Sequence, residues 1–284
     1  MIGKRYFINV IRKNSMELSP IKTDIQEEGK INNTIKSVIF DIYGTLFVSG
    51  TGDISITANN SNTEKLKKVL IKYKINKEAT KVYEDYISSI KMEHEKLKAR
   101  GIDFPEVKID RIWRSILGIN ILKARKIAVE FESLVNPVWP MPYAFELINW
   151  LSSKRIALGI ISNAQFYTPL LFEAFMGKSL SKLGFNKKLI FFSYMYQYAK
   201  PSKKLFLLAD KKLKRYGIKS EDAVYIGNDM LNDIKPAHEI GFKTVLFAGD
   251  RRSLRLREND EDCRDIKPDL IVTSLKSLMN KINV

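Results

Sequence analysis

The sequence predicts an α/β fold: a Rossmann-like parallel sheet with an inserted domain of α-helices. Two observations support this prediction. Short runs of β-branched and aromatic residues alternate with amphipathic stretches of helical length, and one long stretch breaks the alternation with helical patterns alone. The chain has 284 residues, of which 45% are hydrophobic, so it can bury a core of domain size. Parallel sheets of this class bind their ligands where the strands end.

Six apolar runs are predicted to be buried strands, because they are short, rich in β-branched and aromatic residues, and bounded by turn residues. They are residues 37–42, 156–163, 189–196, 223–229, 244–249 and 269–274. Helical patterns lie between them, as at residues 142–154 and 201–217, and each closes with a glycine or a basic turn. Alternation of this kind is typical of a mostly parallel sheet that is covered on both faces.

The stretch that breaks the alternation is residues 53–135, in which helical patterns begin at about residue 63, after the segment SGTGDISITANNSN, and end near the three prolines of NPVWPMP. We interpret it as a helical cap inserted into an α/β core formed by residues 37–52 and 136–284. Residues 1–36 carry mixed charge and little periodicity, which indicates an arm that is partly disordered or runs as a strap along the core.

The net charge of +16 could indicate an anionic partner, but the basic residues do not gather in one tail or domain. The densest basic run, RRSLRLRENDEDCRD at residues 251–265, contains its own acids. As an explanation of the positive charge, we therefore rank an ordinary solvated surface first, attraction of a small anionic substrate second, and nucleic-acid binding last.

Other residue types narrow the possibilities further. No apolar run is long enough to span a membrane, and YFINVI near the start is too short for a signal peptide. The single cysteine, Cys263, cannot form an internal disulfide or a cysteine-based metal site. His94 and His238 are far apart among charged residues, so both are predicted to lie on the surface. We expect a cytoplasmic protein that has no membrane partner.

Polar residues follow the predicted strands at the points where they end. Asp41 ends the first strand, Ser162 and Asn163 follow the second, and Lys200 comes after the third. Because the carboxyl ends of parallel strands meet at one edge of a sheet, these side chains are expected to surround one substrate. The serine and asparagine could donate hydrogen bonds to an anionic oxygen, and the lysine could neutralise its charge.

The first of these positions, in FDIYGTLF, is predicted to hold a nucleophile. Gly44 and Thr45 provide a tight turn with a hydroxyl and backbone N–H groups that can bind an anion. A carboxylate placed there, Asp41, could attack phosphorus or carbon and form a covalent ester. Taken alone, a helix-capping or turn aspartate is the more common use of such a residue.

The segment IGNDMLND places two carboxylates at the end of the fourth strand. Asp229 and Asp233 are four residues apart, so they share one face if a helix begins at once, and Asn228 and Asn232 could support them. Two carboxylates at a strand end suit a hard cation such as Mg²⁺, which prefers oxygen ligands. Helix capping by Asp229 is the alternative, and one carboxylate can do either.

Taken in order, these segments resemble the motifs of the haloacid dehalogenase-like superfamily of hydrolases. FDIYGTLF resembles its nucleophile motif, IISN its second motif, Lys200 in AKP its third and IGNDMLND its acidic fourth, and the helical insert resembles a C1-type cap. The resemblance covers about residues 37–280. It implies that Asp41 is the nucleophile, and that Ser162 and Lys200 bind phosphate and stabilise charge.

The same resemblance implies Mg²⁺ held by Asp41, by the main-chain carbonyl of Tyr43 and by Asp229 or Asp233. The side chain of Tyr43 departs from the phosphatase pattern, because most phosphatases of the superfamily carry an aspartate there that protonates the leaving oxygen. Acid–base help of that kind is worth roughly 10²–10⁴-fold, and a tyrosine with a pKa near 10 is a poor base at neutral pH.

The DxYGT form of the loop resembles that of the L-2-haloacid dehalogenases, whose halide leaving group needs no proton. Those enzymes use an arginine early in the cap, whereas this chain has none between Asp41 and Arg100, and they have no use for Mg²⁺. We therefore expect a Mg²⁺-dependent phosphatase that acts on a small phosphorylated metabolite through an aspartyl phosphate. The alternatives are a carbon–halogen hydrolase and a phosphate-binding or protein-interaction module with little turnover.

Overall fold

A seven-stranded sheet lies at the centre of the computed structural model, which describes residues 2–51 and 60–284. Its neighbouring strands are parallel except at one edge, where the short β1 pairs antiparallel with β10. The predicted α/β class with a parallel sheet is thus confirmed. Across the sheet the strands are β1 (Glu28–Gly29), β10 (Leu270–Val272), β9 (Lys243–Phe247), β8 (Ala223–Gly227), β3 (Ser37–Phe40), β6 (Ala157–Ser162) and β7 (Phe185–Phe192).

Helices cover both faces of the sheet because the buried strands are apolar on both faces. In β3, Val38 and Phe40 pack into one hydrophobic cluster with α6, α7 and α11, whereas Ile39 points to the other face and packs with Leu205 of α9. The covering helices are α6 (Ala144–Ser153), α7 (Thr168–Met176), α9 (Lys204–Arg215), α10 (Lys235–Ile240) and α11 (Leu275–Lys281).

The order of the strands fixes the position of the site. The central strand β3 lies between β6 and β8, which follow it much later in the chain, so the connections leave β3 in opposite directions. A crevice forms outside the carboxyl ends of the strands at such a point. The loop that carries Asp41, the end of β6 and the loop after β8 all open into this crevice.

Four helices form the described part of the insert, which we call the cap. They are α2 (Asn60–Lys72), α3 (Ala79–Lys98), α4 (Ile109–Leu117) and α5 (Ile121–Val135). Aromatic packing holds them together: the rings of Tyr86 and Trp113 stack at 4.5 Å, and Phe131 meets Trp113 edge-on at 5.5 Å. The antiparallel pair β4 (Phe47–Ser49) and β5 (Val138–Pro140) joins the cap to the core. Most of the predicted entry segment, residues 52–59, falls outside the described residues.

Residues 1–36 are predicted to be an arm that is partly disordered or runs as a strap along the core, and the described residues 2–36 contain a helix and two short strands. Residues Ile2–Asn14 form a helix, α1, that buries Phe7 and Ile11 against α5 of the cap and α7 of the core. Its end is fixed on both sides, because Asn14 Nδ2 donates to Ser133 Oγ of the cap at 3.0 Å and Arg12 Nε donates to the carbonyl of Ala174 in the core at 2.5 Å. Further on, β2 (Ile31–Thr34) pairs with the carboxyl-terminal β11 (Ile282–Asn283).

One predicted strand is displaced. The apolar run at residues 189–196 was expected to be a strand, but β7 begins earlier, at Phe185, and ends at Phe192. The next four residues form a helical turn, α8 (Ser193–Tyr196), and the hydroxyl of Ser193 accepts from the N–H of Ala164 at 2.9 Å. Within the described residues, none of the helices combines the length and the apolar character that a membrane crossing requires.

Candidate active site

The loop that is predicted to hold the nucleophile begins where β3 ends. The N–H of Asp41 still donates to the carbonyl of Ile226 at 2.8 Å, so the carboxylate is held at the carboxyl edge of the sheet. Gly44 has a φ of 82° and lies against the loops opposite, where an added Cβ would come within 2.5 Å of Ser253 Cβ. Thr45 Oγ1 donates to Asn228 Oδ1 at 3.1 Å. These two residues join the loop to the segment after β8 rather than line the cavity described below.

Lys200 is the centre of a buried ionic cluster. Its Nζ lies 2.6 Å from Oδ1 of Asp41, 2.5 Å from Oδ1 of Asp233 and 3.2 Å from the hydroxyl of Tyr225. Burial alone lowers the pKa of Lys200, but the neighbouring carboxylates outweigh burial and raise that pKa above its ordinary value. The ammonium therefore stays charged and holds the Asp41 carboxylate in one orientation.

Asp233 supports this cluster from beneath. Its Oδ2 accepts the backbone N–H groups of Asn228 and Asp229, both at 3.0 Å, while Oδ1 faces Lys200. It can approach this closely only because residue 227 is glycine, where an added Cβ would lie 2.3 Å from its Cγ. Burial raises the pKa of Asp233 to about 6, against the lowering effect of Lys200. Both oxygens are engaged, so this carboxylate positions Lys200 and the loop.

Asp229 does not share a helix face with Asp233, contrary to the expectation of a prompt α-helix. The helix after β8 starts with a π turn, Met230–Ile234, and Asp229 caps it with extended backbone by accepting the N–H groups of Leu231 and Asn232. Arg257 also binds it with two hydrogen bonds, Nη2 to Oδ2 at 2.7 Å and Nε to Oδ1 at 3.1 Å. Asp229 therefore caps this helix and also lines the cavity described below.

The segment after β6 is only partly exposed to the cavity. Asn163 lines it, and its side chain holds the backbone of Lys200, accepting the N–H at 2.7 Å and donating to the carbonyl at 3.3 Å. Ser162 is fully buried and is not in the cavity lining; its hydroxyl donates to the carbonyl of Asn163 at 3.3 Å. The predicted phosphate donor Ser162 is thus not brought to the cavity surface in this structure.

The side chain of Tyr43 points away from the Lys200 cluster. Its hydroxyl lies 2.9 Å from Thr168 Oγ1 at the start of α7, and the ring packs against the main hydrophobic cluster. Burial raises the pKa of Tyr43 above its ordinary value, and the nearby carboxyl groups of Glu132 and Asp41 act in the same direction. The hydroxyl stays protonated at any ordinary pH, so it does not replace the aspartate of a phosphatase as a base.

A cavity of about 320 Å³ lies between the core and the cap. The core contributes the residues just described, and Arg255 is a further base on that side, whose Nη1 donates to the carbonyls of Arg252 and Leu254. The cap side is lined by Tyr86, Ile90, His94, Pro105, Glu106, Val107, Ile109 and Glu132. A volume at the small end of the usual range for ligand pockets suits a small metabolite.

Two cap acids in this lining have unusual surroundings. Glu106 accepts hydrogen bonds from Ser193 Oγ at 2.8 Å and Gln165 Nε2 at 3.1 Å, whereas Oε1 of Glu132 is buried and makes no hydrogen bond to any described residue. Burial raises the pKa of each carboxyl to about 7, against the lowering effect of neighbouring hydroxyls. Such shifts in a cleft are typical of functional sites.

Sequence reasoning missed several residues of this site. Tyr225 lies in a buried strand and gives no pattern of its own, and Arg257 is in a basic run that was read as surface. Glu106 belongs to a cap segment noted for substrate contacts, but sequence alone does not show which residues face the crevice. His94 was predicted to lie on the surface and instead lines the cavity, half-buried, where burial lowers its pKa.

The oxygen atoms in the site can be compared with the ligands that Mg²⁺ prefers. Among the described residues, no three His, Cys, Asp or Glu side chains surround a common metal position. The remaining oxygen donors are the carboxylates of Asp41 and Asp229 and the main-chain carbonyl of Tyr43, which is the ligand chemistry that Mg²⁺ takes with additional waters. The set fits in kind, on the condition that Arg257 and the side chain of Asn232 release Oδ2 of Asp229. The fully engaged Asp233 does not fit as a direct ligand.

Known structures share this architecture. A 2-haloacid dehalogenase from Pseudomonas syringae pv. Tomato DC3000 is 18% identical and has a TM-score of 0.55, with 87% of this chain and 97% of that chain covered. A HAD phosphatase from Thermococcus onnurineus is 17% identical and has a TM-score of 0.52, with 88% and 100% covered. At these identities the likeness shows the fold alone. One of these two proteins is named a dehalogenase and the other a phosphatase.

Sequence comparison gives the family directly. No curated protein sequence matches the chain. The family model described as haloacid dehalogenase-like hydrolase matches residues 35–241, which is most of the chain and includes the segments that carry Asp41, Ser162, Lys200, Asp229 and Asp233. This chain therefore belongs to the haloacid dehalogenase-like hydrolase family.

Proposed function

We propose that this hydrolase cleaves phosphate monoesters of small metabolites, with Asp41 as the nucleophile and Mg²⁺ as the cofactor. The observation that carries the proposal is a carboxylate at the cavity wall with one oxygen held 2.6 Å from the Lys200 ammonium. A fixed carboxylate beside a permanent cation can attack phosphorus while the cation stabilises the negative charge of the transferring group.

The proposed reaction has two steps. An oxygen of Asp41 attacks phosphorus, the bond from phosphorus to the leaving oxygen breaks, and the departing alcohol takes up a proton. Water then attacks the phosphorus of the aspartyl phosphate, the bond to Asp41 breaks, and inorganic phosphate leaves with the carboxylate restored. The attacking water gives one proton to solvent, which balances the proton that the alcohol takes from solvent in the first step. Lys200 remains charged throughout because two carboxylates raise its pKa, and Asp233 keeps its ammonium in place.

The residues that would hold Mg²⁺ are Asp41, Asp229 and the main-chain carbonyl of Tyr43. A divalent cation bound there neutralises charge on the transferring phosphoryl group. The charge of the cavity supports this part of the proposal, since its lining carries five carboxyl groups against the bases Lys200 and Arg255. A phosphate dianion entering such a lining needs added positive charge.

A haloacid is the less favoured substrate because of the charges on the cap side. Its carboxylate would face Glu106 and Glu132, and no arginine or lysine of the cap lines the cavity among the described residues. On the core side, Arg255 already donates to main-chain carbonyls. Like charges opposed across an interface cost binding energy, which favours a substrate without a carboxylate at that end.

The experiment is a comparison of phosphate release from p-nitrophenyl phosphate by the wild-type protein, Asp41→Asn and Asp222→Asn. The last is a matched control, because Asp222 pairs with Lys36 on the core, outside the cavity lining. We expect Mg²⁺-dependent release by the wild type and the control, abolished by chelator and by Asp41→Asn. An aryl leaving group departs as a stable anion, so the side chain of Tyr43 does not limit this assay.

Two other results would contradict the phosphatase proposal. Halide release from 2-chloropropionate that needs no metal and disappears in Asp41→Asn would assign the chain to carbon–halogen hydrolysis. Absence of both reactions, with phosphate still binding to wild type and Asp41→Asn alike, would favour a binding module without turnover.

A further inference from the structure

The part of the cavity that would receive the leaving group is both acidic and aromatic. Two cap acids, Glu106 and Glu132, line it together with the rings of Tyr43, Tyr86 and Tyr167. Each of the latter two tyrosines feels the charge of both glutamates, and Tyr43 feels that of Glu132, so the five side chains lie close together. Tyr86 is held rigidly by its stack on Trp113 at 4.5 Å.

Glu132 is the group in this cluster whose bonding is incomplete. Its Oε1 is buried and has no hydrogen-bond partner among the described residues, although the Tyr167 hydroxyl hydrogen-bonds to the carboxyl group and the residue lines the cavity. A buried carboxyl oxygen without a partner costs free energy that a ligand donor would recover. Glu106 differs, because Ser193, Gln165 and its own neighbour Val107 all donate to it.

Among the described residues that line the cap side, no charged base balances these acids. His94 is the remaining titratable base there, and burial lowers its pKa, so it adds no charge at neutral pH. The core bases are engaged elsewhere: Lys200 with Asp41 and Asp233, and Arg255 with two carbonyls. Negative potential between aromatic faces attracts a cation and repels a carboxylate.

We propose that the cap side of this cavity binds an ammonium group, and hence that the substrates are phosphate esters of amino alcohols. Glu132 supplies the carboxylate that pairs with the ammonium, and the rings of Tyr86 and Tyr167 supply its aromatic walls. This inference rests on the proposed phosphatase activity for the phosphate end, but the ammonium site itself does not depend on turnover.

The proposal also bears on the side chain of Tyr43. The loop has no aspartate at this position to protonate a departing alkoxide, and burial keeps the tyrosine protonated. An ammonium two or three bonds from the leaving oxygen stabilises the developing negative charge through space and lowers the proton affinity of that oxygen. An amino alcohol is therefore the type of alkyl leaving group that this site can expel with least acid catalysis.

The test compares three phosphate esters of similar size: 2-aminoethyl phosphate, 2-hydroxyethyl phosphate and carboxymethyl phosphate. Wild type is measured beside Glu132→Gln, which keeps the shape of the side chain, and Glu84→Gln, which removes an exposed cap charge outside the cavity lining. We expect kcat/KM for the amino ester to exceed that for the hydroxy ester roughly tenfold or more, since a desolvated cation contact is worth about one power of ten or above. The carboxy ester should be slowest.

Glu132→Gln should remove the preference for the amino ester over the hydroxy ester, while Glu84→Gln should keep the preference. Equal rates for the amino and hydroxy esters in the wild type would overturn the proposal. So would a loss in Glu132→Gln that is the same for all three esters, because that indicates a general structural role.

A binding measurement separates this inference from the phosphatase proposal. Thermal unfolding of wild type and Glu132→Gln is followed with increasing tetramethylammonium chloride and, for ionic strength, sodium chloride. The ammonium site predicts stabilisation of the wild type by tetramethylammonium over sodium that is lost in Glu132→Gln, even if no ester is hydrolysed. Identical curves for the two salts in the wild type would rule the site out, whatever the outcome for phosphatase activity.

Discussion

Replacing Lys200 by methionine tests the ionic cluster on which the site is built. The methionine nearly preserves the volume but removes the ammonium that lies 2.6 Å from Asp41 and 2.5 Å from Asp233. Both carboxylates are buried, with side chains 7% and 2% exposed, so water cannot take the place of the lost charge. Breaking a buried pair in this way costs about 3–5 kcal/mol.

The loss of folding stability in Lys200→Met should be larger at high pH than at low pH. Burial already raises the pKa of Asp233 to about 6, and removing the ammonium raises it further. A carboxyl whose folded pKa is raised above its unfolded value destabilises the folded state as pH rises through that interval. The penalty of Lys200→Met should therefore be largest at pH 8 and fall to about half or less at pH 5, where one of the two carboxyls holds a proton.

The assay is urea unfolding at both pH values, with two further variants for comparison. Lys36→Met removes an exposed lysine that pairs with Asp222 at 2.7 Å, and should cost less than about 1 kcal/mol. The double variant Lys200→Met/Asp233→Asn should cost at least about 1 kcal/mol less than the sum of the single changes, because the two residues are in contact. A penalty for Lys200→Met no larger than that of Lys36→Met, or one independent of pH, would refute the reasoning.

Three further predictions concern single side chains. Tyr43→Phe removes the contact with Thr168, so urea unfolding should show a loss of about 1 kcal/mol while kcat stays within twofold; a collapse of kcat would give the hydroxyl a chemical role. Glu132→Gln should raise the melting temperature at pH 8 and not at pH 4, because a pKa of about 7 against 4.5 unfolded makes ionisation cost up to about 3 kcal/mol. Arg257→Gln frees Asp229 and should lower the Mg²⁺ concentration for half-maximal activity; an unchanged or higher value contradicts Asp229 as a ligand.

The sheet was predictable because its strands are apolar on both faces and bounded by turn residues. Asp41 and Lys200 could be assigned to one site because parallel strands end at the same edge, and their 2.6 Å contact is consistent with that expectation. The boundary of β7 was not predictable, since the apolar run continues into Tyr194 and Tyr196 while the backbone turns at Ser193, whose hydroxyl binds a neighbouring loop.

The parts that sequence could not supply depend on contacts between distant segments. Asp229 pairs with Arg257, 28 residues away, and no local pattern links the two. The π turn that separates the directions of Asp229 and Asp233 has no sequence signature. In α1, by contrast, a signal existed: Phe7, Val10 and Ile11 follow a helical spacing and are all buried, but the stripe is short and the surrounding residues are charged.

Sequence alone also could not show which cap acids face the cavity. Helical periodicity predicts that a cap exists, but the rotation of each helix relative to the crevice depends on packing, here on the stack of Tyr86 and Trp113. That packing places Glu132 in the lining with an oxygen unpartnered among the described residues. The proposed specificity therefore depends on tertiary contacts, whereas the proposed nucleophile could be assigned from a local motif.

The central claim is that Asp41 attacks phosphorus, and acid quench of the enzyme during turnover tests it most directly. Protein mixed with Mg²⁺ and excess p-nitrophenyl phosphate is quenched, digested and analysed by mass spectrometry. The account predicts a peptide containing Asp41 that is heavier by one phosphoryl group, present in the wild type and absent in Asp41→Asn. Phosphate release by a protein whose Asp41 peptide never carries this mass, or whose Asp41→Asn variant releases phosphate at the same rate, would contradict it.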